Sequence, residues 1–115
     1  MALTQQQTAD IESAMADFLA TGRTPVELRE KMEIGFRIKG QSVVIFERRP
    51  FWPYSDEMIE RVVAKATYVR RTHCWRIYWQ RADLKWHAYY PQAEALLFEE
   101  FIALVDEDES ACFWG

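Results

Sequence analysis

Period-two alternation is the feature that most narrows what this chain can become. Met32, Ile34, Phe36 and Ile38 fall on one side of an extended backbone, and Lys31, Glu33, Arg37 and Lys39 on the other. That is the pattern of a strand with one buried and one wetted face. Lys39-Gly40-Gln41-Ser42 then supplies a turn, and SVVIFERR, rich in β-branched and aromatic residues, supplies a second strand, so the pair reads as a hairpin. Pro50 ends it and holds Arg49 extended; PFWPYSDEMIE (50–60) reads as a connection. VVAKATYVR, CWRIYW and LKWHAYY read as three further strands, and the connections RTH and QRAD are short enough for antiparallel neighbours. The expected strands are about 28–38, 42–49, 62–70, 74–80 and 84–90.

Helical spacing flanks this block. In residues 4–20, Ile11, Met15, Phe18 and Leu19, with Ala14, form one apolar stripe. Thr4 with Gln7 fits a capping box, Gly22 fits a C-terminal stop, and Pro25 bars continuation. Over 92–106, Ala93, Leu97, Phe101 and Leu104 line up, flanked by Leu96, Phe98, Ile102 and Val105. The expectation is an α+β fold: N-terminal helix, antiparallel meander of about five strands, C-terminal helix, both helices on one sheet face. At 115 residues, half of them hydrophobic, the chain suits one domain over 1–115 with a core that needs no staples. No apolar run approaches the ~18 residues of a membrane helix, and MALTQQQTADIE lacks the features of a signal peptide. A cytoplasmic address is the expectation, with Cys74 and Cys112 as free thiols.

Charge is unevenly distributed. The net value of −4 argues against indiscriminate binding to nucleic acid or anionic membrane. Residues 61–90 nevertheless carry seven Lys/Arg against one acid, Asp83, whereas residues 91–115 carry seven acids and no base. Screening limits such fields to about 8–10 Å, so each segment can show its own sign.

The stretch RIYWQRADLKWHAYY (76–90) concentrates rings and cations. Strand parity assigns Trp75, Ile77, Trp79, Leu84, Trp86 and Ala88 to an apolar, helix-facing side. It assigns Arg76, Tyr78, Gln80, Lys85, His87 and Tyr89 to the other side, with Arg37, Lys65 and Thr67 added from upstream strands. A sheet face with cations between rings can hold single-stranded nucleic acid, an acidic protein or an anionic ligand; the same residues also stabilise an ordinary solvated sheet. A bulge would shift the assignment by one residue. FERRPFWPY (46–54) places Arg48 and Arg49 beside Phe51, Trp52 and Tyr54 on a proline-stiffened loop, again suited to anions and aromatic faces. The expected ligand-binding set is Arg76, Tyr78, Lys85, His87, Arg48, Arg49 and Trp52.

WRIYWQRADLKWHAYY, VIFERRPFW and the terminal CFWG resemble a family of small bacterial proteins known as domain of unknown function 3024. The resemblance covers about residues 27–115 and implies a bacterial, cytoplasmic, single-domain protein. It implies no activity, substrate or catalytic residue.

Signals for chemistry are weak. Asp83-Leu84-Lys85 has the acid-x-Lys form of metal-dependent nucleases, with Glu47 as an upstream acid, but about 0.6 such matches are expected by chance from this composition, and aspartate in a turn commonly bonds its own backbone. His73, Cys74, His87 and Cys112 lack the spacing of zinc ligands, so no metal or cofactor is expected. Cys112 with His87 is the one thiol–imidazole candidate, opposed by acids that would raise the thiol pKa. Phe113 and Trp114 are expected to pack into the sheet instead of remaining exposed. The reading is a non-enzymatic binding module for an anionic partner, with a metal-dependent hydrolase using Glu47, Asp83 and Lys85 as the alternative. Oligomeric state is open, since an unpaired edge strand can dimerise or be blunted by its charges.

Overall fold

The computed structural model describes residues 3–21, 33–50, 56–109 and 112–114. Element order is α1 (Gln5–Thr21), β1 (Glu33–Lys39), β2 (Ser42–Pro50), β3 (Met58–Val69), β4 (Cys74–Gln80), β5 (Trp86–Ala88), β6 (Glu94–Ala95) and α2 (Phe98–Glu107). The strands form one antiparallel sheet in the order β1-β2-β3-β4-β5, with β6 also pairing β4. This is the expected helix–meander–helix α+β arrangement. Gly22, Pro25 and the first residues of the expected first strand lie outside the described residues.

Local chemistry accounts for the elements. At the start of α1, the Thr4 N–H donates to Gln7 Oε1 (2.9 Å) and the Gln7 N–H donates to Thr4 Oγ1 (3.0 Å), closing the capping box. The stripe Ile11, Met15 and Phe18 is buried. β1 and β2 are joined by Gly40-Gln41, where Gly40 takes a φ of 61° that a side chain would resist. Val43 and Ile45 of β2, Ala64 and Ala66 of β3, and Trp75 and Ile77 of β4 meet Ile11, Met15 and Phe18 of α1 and Phe98, Phe101 and Val105 of α2 in one buried cluster. Both helices therefore cover the same sheet face.

Two boundaries differ from expectation. β3 begins at Met58, inside the presumed connection, because Arg49 and Pro50 continue the ladder against Ile59 and Met58. α2 begins at Phe98, not near residue 92. Residues 90–92 form a 3-10 turn, and β6 then pairs Ala95 with Trp75 and Glu94 with Arg76. Ile77 spans the gap, donating to the Ala93 carbonyl and accepting from the Tyr89 N–H, both at 2.9 Å. Ladder hydrogen bonds here outweigh the helical spacing of Ala93 and Leu97, and Leu96 and Leu97 are left exposed.

A β-bulge in the β2–β3 ladder has the widest consequences. Ile45 pairs with Ala64 but Phe46 pairs with Val62, so Val63 has no partner across the ladder. The extra residue inverts parity along the first part of β3. Arg61 turns to the helix-covered face opposite Glu47, which is only 4% exposed, and Arg61 Nε donates to Glu47 Oε1 at 2.8 Å. Arg61 Nη2 donates onward to the carbonyls of Phe113 (3.2 Å) and Trp114 (3.4 Å). Asp108, which ends α2 with a φ of 45°, accepts the N–H groups of Phe113 and Trp114, each at 3.0 Å. Trp114 Nε1–H donates to the Val105 carbonyl at 2.8 Å. Phe113 is thereby seated in the core, its ring 4.7 Å from that of Tyr89, and the expected packing of the C-terminal rings holds.

Glu47 is buried but the Arg61 side chain is 37% exposed, so removing Arg61 strands a carboxylate that water can partly reach. Arg61→Met is expected to cost about 1–3 kcal/mol in urea unfolding, and adding Glu47→Leu to recover most of that loss. Phe113→Ala is expected to cost about 3–5 kcal/mol by the same measurement, through its cavity.

Candidate anion-binding face

The uncovered sheet face is built from alternate residues of the strands. Register places Arg37 and Lys39 of β1, Ser42, Val44, Phe46 and Arg48 of β2, Glu60, Lys65 and Thr67 of β3, Arg76, Tyr78 and Gln80 of β4, and Glu94 of β6, opposite Arg76, on this side. The expected outward positions of Arg37, Lys65, Thr67, Arg76 and Tyr78 agree with this register.

β5 has the opposite parity from that expected. Tyr78 pairs with Ala88, Trp79 with His87, and Gln80 with Trp86. Trp86 and Ala88 therefore join the outer face, whereas His87 sits beside Trp79 on the other side and Tyr89 is buried in the core. The cause is the connection. Residues 81–85 form a five-residue loop closed by Leu84 N–H to the Arg81 carbonyl (2.8 Å) and Arg81 N–H to the Lys85 carbonyl (3.2 Å). Leu84 takes a φ of 63° and is exposed. Extending β5 back to Leu84 would have required a shorter turn and the other face for every later residue.

Two clusters of rings and cations lie on the outer face. At the β1–β2 end, the Phe46 ring lies across Gly35, where a Cβ would come within 2.7 Å of the ring. The Arg37 and Arg48 guanidinium groups sit 4.5 and 5.1 Å from its centre, and both arginines are ion-paired to Glu60. One carboxylate thus serves both guanidinium groups, which leaves about one positive charge at that end. At the β3–β5 end, Lys65 Nζ sits 4.8 Å from the Tyr78 ring centre and 4.9 Å from that of Trp86. Partial burial pushes the Lys65 ammonium pKa down. Among the described residues no carboxylate forms an ion pair with Lys65, and Arg76 beside it is exposed.

The remaining expected site residues do not converge. Arg48 and Arg49 lie on β2 itself and alternate across the sheet, Arg49 facing away from Arg48; Trp52 lies outside the described residues. Lys85 is exposed in the β4–β5 loop. His87 Nε2 contacts Asp83 Oδ2 at 2.9 Å, and the Lys85 N–H donates to Asp83 Oδ1 at 2.9 Å, the turn role that sequence suggests for Asp83. Glu47 is held by Arg61, and strands β3 and β4 separate β2 from the loop that carries Asp83 and Lys85. Among the described residues no group of three His, Cys, Asp or Glu is placed to hold a metal ion. Burial, with Asp108 second, pushes the Cys112 thiol pKa up, which opposes thiolate chemistry.

The helical layer has the opposite sign. α1 carries Asp10, Glu12 and Asp17, and α2 carries Glu99, Glu100, Asp106 and Glu107; neither helix has a Lys or Arg. The charge division along the chain becomes a division between two sides of the molecule. No helix among the described residues is long and apolar enough to cross a membrane.

A family described as Domain of unknown function (DUF3024) matches residues 3–115, taking in α1 as well as the sheet and α2. No curated protein and no solved structure matches the chain.

Hydrogen bonds from the Lys85 N–H and His87 hold the Asp83 carboxyl below the usual carboxylate range. A carboxyl whose folded pKa is depressed adds stability above its unfolded value, about 3.9, and that stability disappears as pH falls through the folded value. Thermal melts between pH 6 and 2 are therefore expected to show a steeper acid loss for the wild type than for Asp83→Asn.

Proposed function

We propose, from the premise that the chain belongs to the DUF3024 family, that the protein is a non-enzymatic binding module whose outer sheet face receives an anionic partner. The observation that carries the reading is Lys65. Its ammonium is partly desolvated between Tyr78 and Trp86 and is left without a carboxylate ion pair among the described residues. A cation that has lost water and gained only ring faces has an unmet demand for a counter-charge, and an incoming anion supplies it. Arg76 extends the positive surface toward the β3–β4 turn, where Arg70 and Arg71 are exposed. The net charge of −4 does not oppose this: the acids of α1 and α2 lie on the side away from the sheet's outer face, and of the acids on that face Glu60 pairs with Arg37 and Arg48 and Glu94 stands opposite Arg76, so that Lys65 keeps no ion pair among the described residues. The reading includes a cytoplasmic address, which the free thiols Cys74 and Cys112 support.

Retention on immobilised heparin tests it. The wild type is expected to bind at low salt and to elute as salt rises. Lys65→Glu with Arg76→Glu is expected to abolish retention while the thermal midpoint stays within a few degrees. Flow-through of the wild type at low salt removes the proposal, as does undiminished retention of the double variant.

A further inference from the structure

We infer that the anionic partner is single-stranded nucleic acid, its bases stacked on Tyr78 and Trp86 and its phosphates held by Lys65 and Arg76. The inference rests on the binding role proposed above and adds the chemical class of the ligand. Three observations favour this class over an acidic protein segment.

The first is the pairing of rings with a cation. Both ring centres lie within about 5 Å of the same ammonium: Lys65 stands directly opposite Tyr78 in the ladder, and Trp86 is the diagonal neighbour of Tyr78 on the next strand. Tyr78 and Trp86 are half-buried, and the direct neighbour of Tyr78 across the ladder is the small Ala88. A carboxylate-bearing peptide would use the ammonium and ignore the rings. A nucleotide uses both, since every base has a π-face and every linkage a phosphate.

The second is the state of the backbone. A peptide is commonly recognised by adding a strand at a free sheet edge. β4 is bonded to β3 on one side and to β5 and β6 on the other. A strand could add only at β1 or at the three-residue β5, so a ligand that touches Arg76, Tyr78 and Lys65 lies over the face, reached by side chains.

The third is the direction of the cations. They run beside β4 from Arg71 in the turn before it to Arg76 and Lys65, the two arginines exposed and Lys65 partly buried. Seven strand residues span about 23 Å at ~3.3 Å each, which suits an extended polyanion. Hydrogen-bonding groups on this face are few. Ser42 and Thr67 hydroxyls bond each other at 2.8 Å, and the Gln80 amide donates to the Leu84 carbonyl at 3.1 Å. Weak base selectivity follows.

Fluorescence anisotropy with a labelled single strand of about 12 nucleotides, within the range small single-strand-binding folds cover, tests the inference against an abasic strand of equal length. The base-bearing strand, DNA or RNA, is expected to bind about tenfold to hundredfold tighter than the abasic one. Tyr78→Leu and Trp86→Leu are each expected to erase most of that preference while leaving heparin retention in place. Equal affinity for base-bearing and abasic strands overturns the inference and leaves the anion-binding role standing, as does competition by polyglutamate matching that of the unlabelled strand. Failure of heparin and both strands to bind at low salt removes the binding role itself. The wild-type comparison requires no variant to fold.

Discussion

The ion pair between Arg61 and Glu47 is the constraint from which much of the remaining structure follows. A carboxylate on the helix-covered face of a sheet must be neutralised, because the cost of burying an unpaired charge is several kcal/mol. The one-residue bulge at Val63 is what brings a guanidinium to that side. Once turned inward, Arg61 has donors to spare, and they go to the carbonyls of Phe113 and Trp114. With Asp108 taking the neighbouring N–H groups, the tail is fixed from both its donor and its acceptor sides. Phe113 then completes the core against Tyr89. The same bulge sends Glu60 outward, where it meets Arg37 and Arg48. One inserted residue thus distributes charge to both faces.

That distribution separates the two ring-and-cation clusters chemically. Around Phe46 both arginines share the Glu60 carboxylate and flank a ring that lies across Gly35, so the cluster serves the sheet. Around Lys65 there is no such matching among the described residues. Desolvation there lowers the pKa of a group that gains only ring contacts in return. In the proposed binding role, this local imbalance is what an anionic partner relieves. The helical layer on the reverse side is acidic and carries no Lys or Arg on α1 or α2.

Much of the architecture was legible before any coordinates. The capping residues Thr4 and Gln7, the stripe Ile11–Met15–Phe18, the Gly40 turn and the outward Arg37, Lys65, Arg76 and Tyr78 all follow from local chemistry and strand period. Residue character points Trp86 inward and His87 and Tyr89 outward, because an indole looks like core and an imidazole like surface; the structure has each on the opposite side. The connecting loop decided otherwise. Residues 92–97 looked helical because Ala93 and Leu97 have helical spacing, yet the edge of β4 offered unpaired backbone groups that β6 satisfies. Backbone hydrogen bonds left open at a sheet edge are a property of the neighbouring strand, and no window along 92–97 contains them.

By itself the sequence determined which segments are extended, that neighbouring strands run antiparallel, which helical stripes seek the core and that positive and negative charge separate along the chain. These depend on periodicity and spacing, which are local. Tertiary structure alone decided where parity breaks: at Val63, which turns Arg61 toward Glu47, and in the 81–85 loop, which brings Trp86 out to Lys65. Each break is a single unpaired or looped-out residue whose position is set by what the partner strand must bury, and a residue's own neighbours in the chain carry no record of that demand.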